Sequence, residues 1–142
     1  MAKFDLHHSI ETKTAFPMYT FFAEGTHAGE IIDTLGYEGI QYVITSGTLT
    51  TGTFTPWIEE GNQSNLSVAT PVDTSHLLGT YADATFLVAD DDVTKMIGNV
   101  GQKRYQRLMI TGTDAPAGTL IATAILHSAL HQPTNGANKS TG

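Results

Sequence analysis

The stretch VTKMIGNVGQKRYQRLMIT, residues Val93–Thr111, concentrates the features on which the interpretation of this chain depends. Two apolar runs, Val93–Ile97 and Leu108–Thr111, stand on either side of Gly98 and Gly101. Short apolar runs separated by glycines are typical of strands that are joined by a turn. The stretch therefore predicts a hairpin or strand pair.

A basic cluster lies between the two apolar runs. Both arginines and four of the seven Lys and Arg residues fall in this stretch, although the chain has a formal net charge of -7. On a strand, Lys103, Tyr105 and Arg107 share one face, and Arg104 points to the other. A guanidinium beside an aromatic ring suits the acidic or backbone groups of another protein. We predict that these four residues form part of a partner-binding surface.

An internal role for the same arginines is an equal alternative. Asp90–Asp92 and Glu59–Glu60 are the acidic groups that could pair with them and hold neighbouring loops together. The sequence leaves both interpretations open.

Length and composition limit the class of protein. A chain of 142 residues fits one domain, and a domain of this size buries about 70% of the surface that its unfolded chain exposes. Cysteine is absent, which excludes disulfides and thiolate metal sites and is compatible with a reducing cytoplasm. No signal peptide or membrane-spanning run is recognisable. We therefore expect neither export by a signal peptide nor a membrane partner.

The amino-acid usage favours an all-β fold. The chain contains 22 threonines and 14 glycines but only 15% charged residues, which favours short β-branched strands separated by turns. The pI of about 5.1 opposes an electrostatic grip on nucleic acid, which needs several Lys or Arg contacts. No nucleic-acid partner is therefore expected.

Period-two alternation marks the strands. Gly39–Gly47 is predicted to be a central strand with Ile40, Tyr42 and Ile44 towards the core. Trp57 projects from the opposite side of the following strand, where it is either a contact anchor for a partner or a half-buried residue. Further strands are predicted over Phe4–Ile10, Thr14–Phe22, Glu30–Thr34, Thr48–Glu60, Thr85–Ala89 and Thr119–His127, with turns at Glu24–Gly29, Gly36–Gly39 and Gly112–Gly118. Pro17 lacks a backbone donor, which places Thr14–Phe22 at an edge, at a bulge or in an extended arm.

These strands predict a β-sandwich, with the jelly roll as the first choice. Thr119–His127 is apolar on both faces, which suits a strand buried between two sheets, although a helix over residues 117–131 stays an alternative. We expect a single domain over residues 1–132, extended terminal arms, and a flexible tail over residues 133–142.

Catalytic and metal signatures are not found. Asp90–Asp92 lacks the remaining ligands of an EF-hand loop, and the six histidines show no zinc-binding spacing. The stretch from Gly98 to Arg104 fails the Walker pattern, and no G-x-S-x-G motif occurs. Glu59 and Glu60 point apart on a strand and cannot act as an acid/base pair. We therefore expect no enzyme activity, no cofactor and no metal.

Five segments taken together resemble a known family. They are GIQYVITSGTLT (39–50), FTPWIEEGN (54–62), LLGT (77–80), DDDVTKMIGNVGQKRYQRLMIT (90–111) and TLIATAILH (119–127). The chain from Gly29 to Pro133 resembles small tailed-bacteriophage proteins of the capsid decoration, or cement, type. The most specific part of the likeness is IGNVGQKRYQRL, Ile97–Leu108.

The resemblance implies a structural role. It implies a jelly-roll protein on the outer surface of a virion, assembled in the host cytoplasm, that bridges neighbouring major capsid protein subunits as a homodimer or homotrimer at local symmetry axes. The residue pattern, and not the resemblance, makes Trp57, Lys103, Arg104, Tyr105 and Arg107 the expected contact residues. The alternative is a carbohydrate- or receptor-binding β-sandwich displayed on a virion, and its only sugar-binding candidate is Trp57 with Glu59, Glu60 and Asn62.

Overall fold

The computed structural model describes residues 6–100 and 103–129, and it confirms the all-β class. The strands are β1 (Glu11–Phe21), β2 (Gly25–Ala28), β3 (Ile32–Asp33), β4 (Tyr37–Gly61), β5 (Thr70–Pro71), β6 (Leu77–Leu78), β7 (Thr94–Val100) and β8 (Tyr105–Ala129). A 3₁₀ turn at Thr74–His76 and the short helix α1 (Tyr81–Ala84) lie between β5 and β7. The predicted tail over residues 133–142 lies outside the described residues.

The fold is organised around the antiparallel pairing of β4 with β8. This pairing runs from Tyr37 opposite Ala129 to Gly61 opposite Tyr105. Other strands add to both sides, in the order β1-β8-β4-β7-β6, while β2 and β3 also pair with β8 and β5 pairs with β4. The predicted central strand is confirmed, because Ile40, Tyr42 and Ile44 on β4 are fully buried.

The sheet folds over on itself into two layers. The Tyr42 hydroxyl lies 3.2 Å from Gln106 Oε1. Tyr42 pairs with Ala124, and Gln106 lies on the same strand as Ala124. In a flat sheet these positions on β8 would be about 60 Å apart, at roughly 3.3 Å per residue. The contact therefore requires that the two ends of the β4–β8 pair face each other.

The bend lies where the pairing register shifts, between Ser46 and Thr53 of β4. On the opposite strand, Asp114 and Ala115 have positive φ values of 60° and 55°. The predicted turn at Gly112–Gly118 is therefore a bend within one continuous strand. The first layer comprises β1, β6, β7 and residues 37–51 and 117–129, and the second layer comprises β2, β3, β5 and residues 53–61 and 105–113.

One hydrophobic core fills the space between the layers. Phe21 on β1 stacks edge-on against Phe54 on β4, with ring centroids 5.2 Å apart. Phe86 is fully buried and forms an isolated bridge with Phe54. This two-layered packing is compatible with the expected sandwich, whereas the jelly-roll connectivity stays a prediction.

The two layers are joined along one side by the chain that runs from β2 to β3. Gly29 N donates to Leu108 O of the second layer, and Glu30 N donates to Ala15 O of the first, both at 2.8 Å. A Cβ at Gly29 would lie 2.2 Å from Ala15 O. Only glycine fits this seam without a shift of the backbone.

The hairpin predicted for Val93–Thr111 is wrong in its pairing. Both of its strands exist, as β7 and the start of β8, but each pairs with β4. The strand β4 lies between them because its long run of buried residues, including Ile40 and Ile44, occupies the centre of the sheet. β7 and β8 are therefore consecutive in the sequence but are not neighbours in the sheet.

Three other local predictions are corrected. Residues 6–10 of the predicted first strand form turns, with Ser9 N bonded to Leu6 O. The predicted turn at Glu24–Gly29 contains β2, because its backbone pairs with β8. The predicted strand Thr85–Ala89 curls instead, because the Asp90 carboxylate accepts a hydrogen bond from Leu87 N.

The segment Thr119–His127 is a strand, so the helical alternative is excluded. Its burial is one-sided: Leu120 and Leu126 are fully buried, whereas Ile121 is 38% exposed. The expectation that both of its faces are covered is wrong, because among the described residues no third layer covers the outer face of the first layer.

Candidate protein-binding surface

The second layer turns one face away from the core, and we call this surface the Trp57 face. Register places Trp57 opposite Met109 and Glu59 opposite Arg107. The intervening residues Ile58 and Leu108 are fully buried, so their neighbours along each strand point outwards. The Trp57 face comprises Thr55, Trp57, Glu59, Tyr105, Arg107, Met109 and Thr111.

Trp57 lies near the centre of this face and is half-buried. Its indole Nε1 donates a hydrogen bond to Thr111 Oγ1 at 3.1 Å. Met109, directly opposite on β8, retains 9% exposure. The indole is thus held in one orientation while part of its surface stays open to solvent, which combines both interpretations of Trp57 from the sequence.

Arg107 forms an ion pair with Glu59 across the β4–β8 pair. The side chains are 25% and 12% exposed, so water only partly screens the pair. The internal ion pair expected as the alternative therefore exists, and it ties the Arg107 side chain to Glu59 on the same face as Trp57.

Arg104 forms a second, more exposed pair, with Asp33 of β3. Its Nε and Nη2 atoms donate to the two carboxylate oxygens at 2.9 and 2.8 Å. The guanidinium also lies over the Tyr105 ring, 5.0 Å from its centroid. The hydrogen bonds from Arg104 lower the pKa of Asp33 below its ordinary value, so this pair persists in mild acid.

The structure brings three of the five predicted residues onto one face and places the other two at its edge. Trp57, Tyr105 and Arg107 lie on the Trp57 face, whereas Lys103 and Arg104 precede β8. Lys103 Nζ donates to Thr70 Oγ1 at 3.2 Å. Lys103, Arg104, Tyr105 and Arg107 therefore lie at the end of the second layer where β8 begins, and Trp57 lies farther along the same face.

Two residues of this surface, Met109 and Asp33, were not predicted from the sequence. Met109 follows Arg107 in the same alternation, so continuing the period-two pattern by one step would have found it. Asp33 carries no local signal, because only the pairing of β3 with β8 brings it to Arg104.

One residue of the predicted sugar-binding group, Glu60, does not lie on the Trp57 face. Glu60 points into the protein and is 5% exposed, whereas Glu59 shares the outer face with Trp57. Asn62 is exposed in the loop after β4. Trp57 therefore has one neighbouring carboxylate on its face instead of two.

The outer face of the first layer differs in character. Val43, Met96 and Thr123 lie side by side across three strands, and Met96 is 61% exposed. The neighbouring rows of the same face contain Thr45, Thr94, Ile121 and Ile125. These rows are threonine-rich and aliphatic, in contrast to the ion-paired Trp57 face.

A shallow cleft of about 210 Å³ opens beside the seam between the layers. It lies where β1 shifts register on both sides of Phe16. The rings of Tyr19 and His27 lie 4.1 Å apart in its wall. Its lining consists of Phe16, Pro17, Met18, Tyr19, His27, Ala28 and Glu30.

Within residues 6–100 and 103–129, no group of three His, Asp or Glu side chains is arranged to hold a metal ion. The Asp90–Asp92 triplet has a structural role instead. Asp90 pairs with Lys95 at 3.1 Å, and Asp91 Oδ1 accepts from Leu49 N at 2.7 Å. In the same described ranges, no helix has the length and apolar character needed to cross a membrane.

The fold and surface define an all-β protein with one folded-over antiparallel sheet and a rigid aromatic and ion-paired outer face. No protein-family model matches the chain, and no curated protein matches it. Solved structures with a similar fold do exist. Their sequence identities to this chain lie between 12% and 16%, so the similarity concerns the fold alone.

One similar structure is that of Bacillus endospore appendages, described as a novel family of disulfide-linked pili. It shares 15% identity over 85% of this chain and 89% of that one, with a TM-score of 0.50. The PBSX exported protein XepA shares 16% identity over 93% of this chain but 41% of its own length, with a TM-score of 0.56. The SPBc2 prophage-derived protein YomS shares 12% identity over 84% and 93% of the two chains, with a TM-score of 0.49.

Proposed function

We propose that this protein is a non-enzymatic structural protein of a phage virion. In this role it decorates the outer surface of the icosahedral capsid and bridges neighbouring major capsid protein subunits. The observation that carries the proposal is the Trp57 face, in which Trp57, Met109, Tyr105 and Arg107 lie together on a rigid sheet. Aromatic residues, Met and Arg are the types enriched in protein interfaces.

The family resemblance and the fold support the same class of function. The segments that resemble capsid decoration proteins include both strands of the Trp57 face. Solved proteins with this fold include one from PBSX and one from endospore pili. This chain has no cysteine, so any assembly that it joins through these 142 residues is not linked by disulfides.

The internal ion pairs suit a contact surface. Arg107 and Arg104 are already held by Glu59 and Asp33, so binding orders few additional side chains. The centre of the contact is then the partly exposed Trp57 indole, with the ion pairs around it. Exposed ion pairs of this kind contribute little affinity by themselves but set orientation.

Many weak contacts are sufficient on a capsid. A protein that binds only the assembled lattice stabilises the lattice by mass action, and copies that bridge two subunits gain from a high effective concentration. We expect a homodimer or homotrimer at a local symmetry axis, because the same surface must meet symmetry-related partners.

Co-sedimentation with phage heads assembled without this protein tests the proposal. Trp57→Ala should weaken binding by about 30-fold or more, as expected for a central aromatic anchor. Met96→Ala, on the outer face of the other layer, is the matched control and should bind like the wild type. Equal binding of wild type and Trp57→Ala, with both folded by circular dichroism, would exclude the Trp57 face.

A charge swap separates external from internal roles of Arg104. Arg104→Glu alone should weaken binding, because it removes the Asp33 pair and reverses the local charge. The double variant Asp33→Arg with Arg104→Glu restores an internal pair in the opposite direction. If Arg104 touches the capsid, the double variant stays weak; recovery of binding would show that Arg104 only holds β3 in place.

A glycan-binding module is the rival function. The inward position of Glu60 argues against it at Trp57, since a sugar platform there has fewer hydrogen-bonding neighbours. Binding of the isolated protein to a glycan array, lost in Trp57→Ala, would favour this alternative over capsid decoration.

A further inference from the structure

Four polar side chains meet between the two layers, beneath the Trp57 face. Tyr42 and Asn99 come from the first layer, and Glu60 and Gln106 come from the second. Tyr42, Asn99 and Gln106 are fully buried, and Glu60 is 5% exposed. Glu60 and Gln106 are directly opposite on β4 and β8, so their side chains enter the interior side by side.

Hydrogen bonds within this group satisfy only part of it. Gln106 Oε1 accepts from the Tyr42 hydroxyl at 3.2 Å and from Asn99 Nδ2 at 3.4 Å. Glu60 Oε2, Asn99 Oδ1 and Gln106 Nε2 are buried and make no hydrogen bond to any residue of the described chain. Two acceptors and one donor therefore remain on three neighbouring side chains.

Leaving such atoms without partners is costly. A buried polar atom that lacks a hydrogen bond loses its hydration without compensation, and the cost is larger for a carboxylate than for a neutral group. Native proteins almost always satisfy such groups, with protein atoms or with an internal water molecule.

We infer that Glu60, Asn99 and Gln106 form a binding site for one internal water molecule that bridges the two layers. The water donates its two hydrogens to Glu60 Oε2 and Asn99 Oδ1 and accepts a hydrogen bond from Gln106 Nε2. Each of the three buried atoms without a protein partner then has one. The inference does not depend on the proposed capsid function.

The donor and acceptor pattern selects water over a metal ion. A calcium ion requires six to eight oxygen ligands, whereas this group contains a single carboxylate. The Gln106 Nε2 group presents hydrogens, which a cation repels but a water oxygen accepts. The orientation of the Gln106 side-chain amide agrees with the two hydrogen bonds that its Oε1 accepts, one from the Tyr42 hydroxyl and one from Asn99 Nδ2.

This site links the interior to the outer surface. Gln106 lies between Tyr105 and Arg107 on β8, and Glu60 follows Glu59 on β4. The two successive glutamates thus have separate tasks: Glu59 holds Arg107 outside, and Glu60 holds the water inside. The bound water fixes the spacing of the layers under the Trp57 face.

A crystal structure of the whole chain at high resolution provides the direct test. We expect one density peak within about 2.6–3.2 Å of Glu60 Oε2, Asn99 Oδ1 and Gln106 Nε2. A peak at about 2.3–2.6 Å from the oxygens would indicate a cation instead. Direct bonds among the three side chains with no peak between them would equally overturn the inference.

NMR of the same protein gives an independent test in solution. The Gln106 side-chain amide protons should show a cross-relaxation signal to a water molecule that stays bound for longer than nanoseconds. Gln41, which is half-exposed on the outer side of β4, is the matched control and should show only short-lived hydration. Identical behaviour of the two glutamines would overturn the inference.

A double-mutant cycle tests the bridge itself. No direct hydrogen bond joins Glu60 to Asn99, so their coupling depends on the shared water and on Gln106, which neighbours both side chains. Glu60→Leu and Asn99→Leu should each lower Tm by several degrees, and the double variant should lose clearly less than the two losses combined. Full additivity in folded variants would contradict a shared ligand.

Discussion

Tyr42 shows most clearly how burial controls the chemistry of a single residue in this protein. Its side chain is fully buried, and its hydroxyl donates to Gln106 Oε1. Burial disfavours the charged phenolate and raises the pKa of Tyr42 far above its usual value. The folded protein therefore keeps this proton at a pH where the unfolded chain loses it.

This difference predicts a loss of stability in alkali. A group with a raised pKa contributes its full stability below the unfolded pKa, near 10, and the contribution falls as the pH rises above that value. The single group should cost about 1.4 kcal/mol by pH 11. Urea unfolding at pH 8 and pH 11 measures this, and Tyr42→Phe should lose less stability over the same range by about that amount.

Burial also raises the pKa of Tyr81. Tyr81 is present in both the wild type and Tyr42→Phe, so its titration does not affect the comparison between them. An equal alkaline loss in wild type and Tyr42→Phe would show that Tyr42 is not held neutral by its surroundings.

At the scale of elements, the bend in β8 determines how the sheet becomes two layers. Asp114 and Ala115 both adopt the left-handed conformation, which is unfavourable for residues with a Cβ. The bend is held by the Thr51 hydroxyl, which donates to Ala115 O at 2.6 Å. Ala115 N also donates to the Glu24 carboxylate at 3.2 Å.

Replacing Ala115 by glycine should therefore stabilise the protein. Glycine removes the steric cost of the positive φ and keeps both backbone hydrogen bonds, so we expect a gain of about 1 kcal/mol in the free energy of unfolding. The matched control is Ala117→Gly, two residues later and without a positive φ, which should lose about 0.5–1 kcal/mol. Denaturant unfolding of both variants gives the sign, and a loss in Ala115→Gly would mean that the bend is formed differently.

At the scale of the whole molecule, the two layers depend on contacts between distant parts of the chain. The seam at Gly29 is one such contact, because consecutive backbone groups bond to different layers. Replacement of this glycine affects the closure of the protein as a whole.

We predict that Gly29→Ala lowers the free energy of unfolding by about 2–3 kcal/mol, as for overpacking against immobile atoms. The reason is that both nearest neighbours of the new Cβ are backbone oxygens, Ala15 O at 2.2 Å and Leu108 O at 2.8 Å. Gly47→Ala is the control, because its nearest neighbours lie at 3.7 Å, and it should change stability little. Chemical denaturation measures both, and equal stabilities would show that the seam can widen freely.

Where a predicted strand forms, the side-chain directions predicted from its alternation were confirmed, whereas residues 6–10 of the alternating segment Phe4–Ile10 form turns. Ile40, Tyr42 and Ile44 point into the core, Trp57 points away from it, and Tyr105 and Arg107 share a face, because a strand alternates its side chains whatever it pairs with. The edge position of β1 is one of those predicted from Pro17, which cannot donate to a neighbouring strand.

Pairing, by contrast, was decided only by tertiary structure. The sequence carries no signal that β4 separates β7 from β8, that residues 112–118 bend instead of turning, or that Asp33 meets Arg104. Alternation is a property of one strand, whereas pairing partners are chosen by the burial of the whole core. Local residues therefore determined the faces of this protein, and long-range packing decided which faces meet.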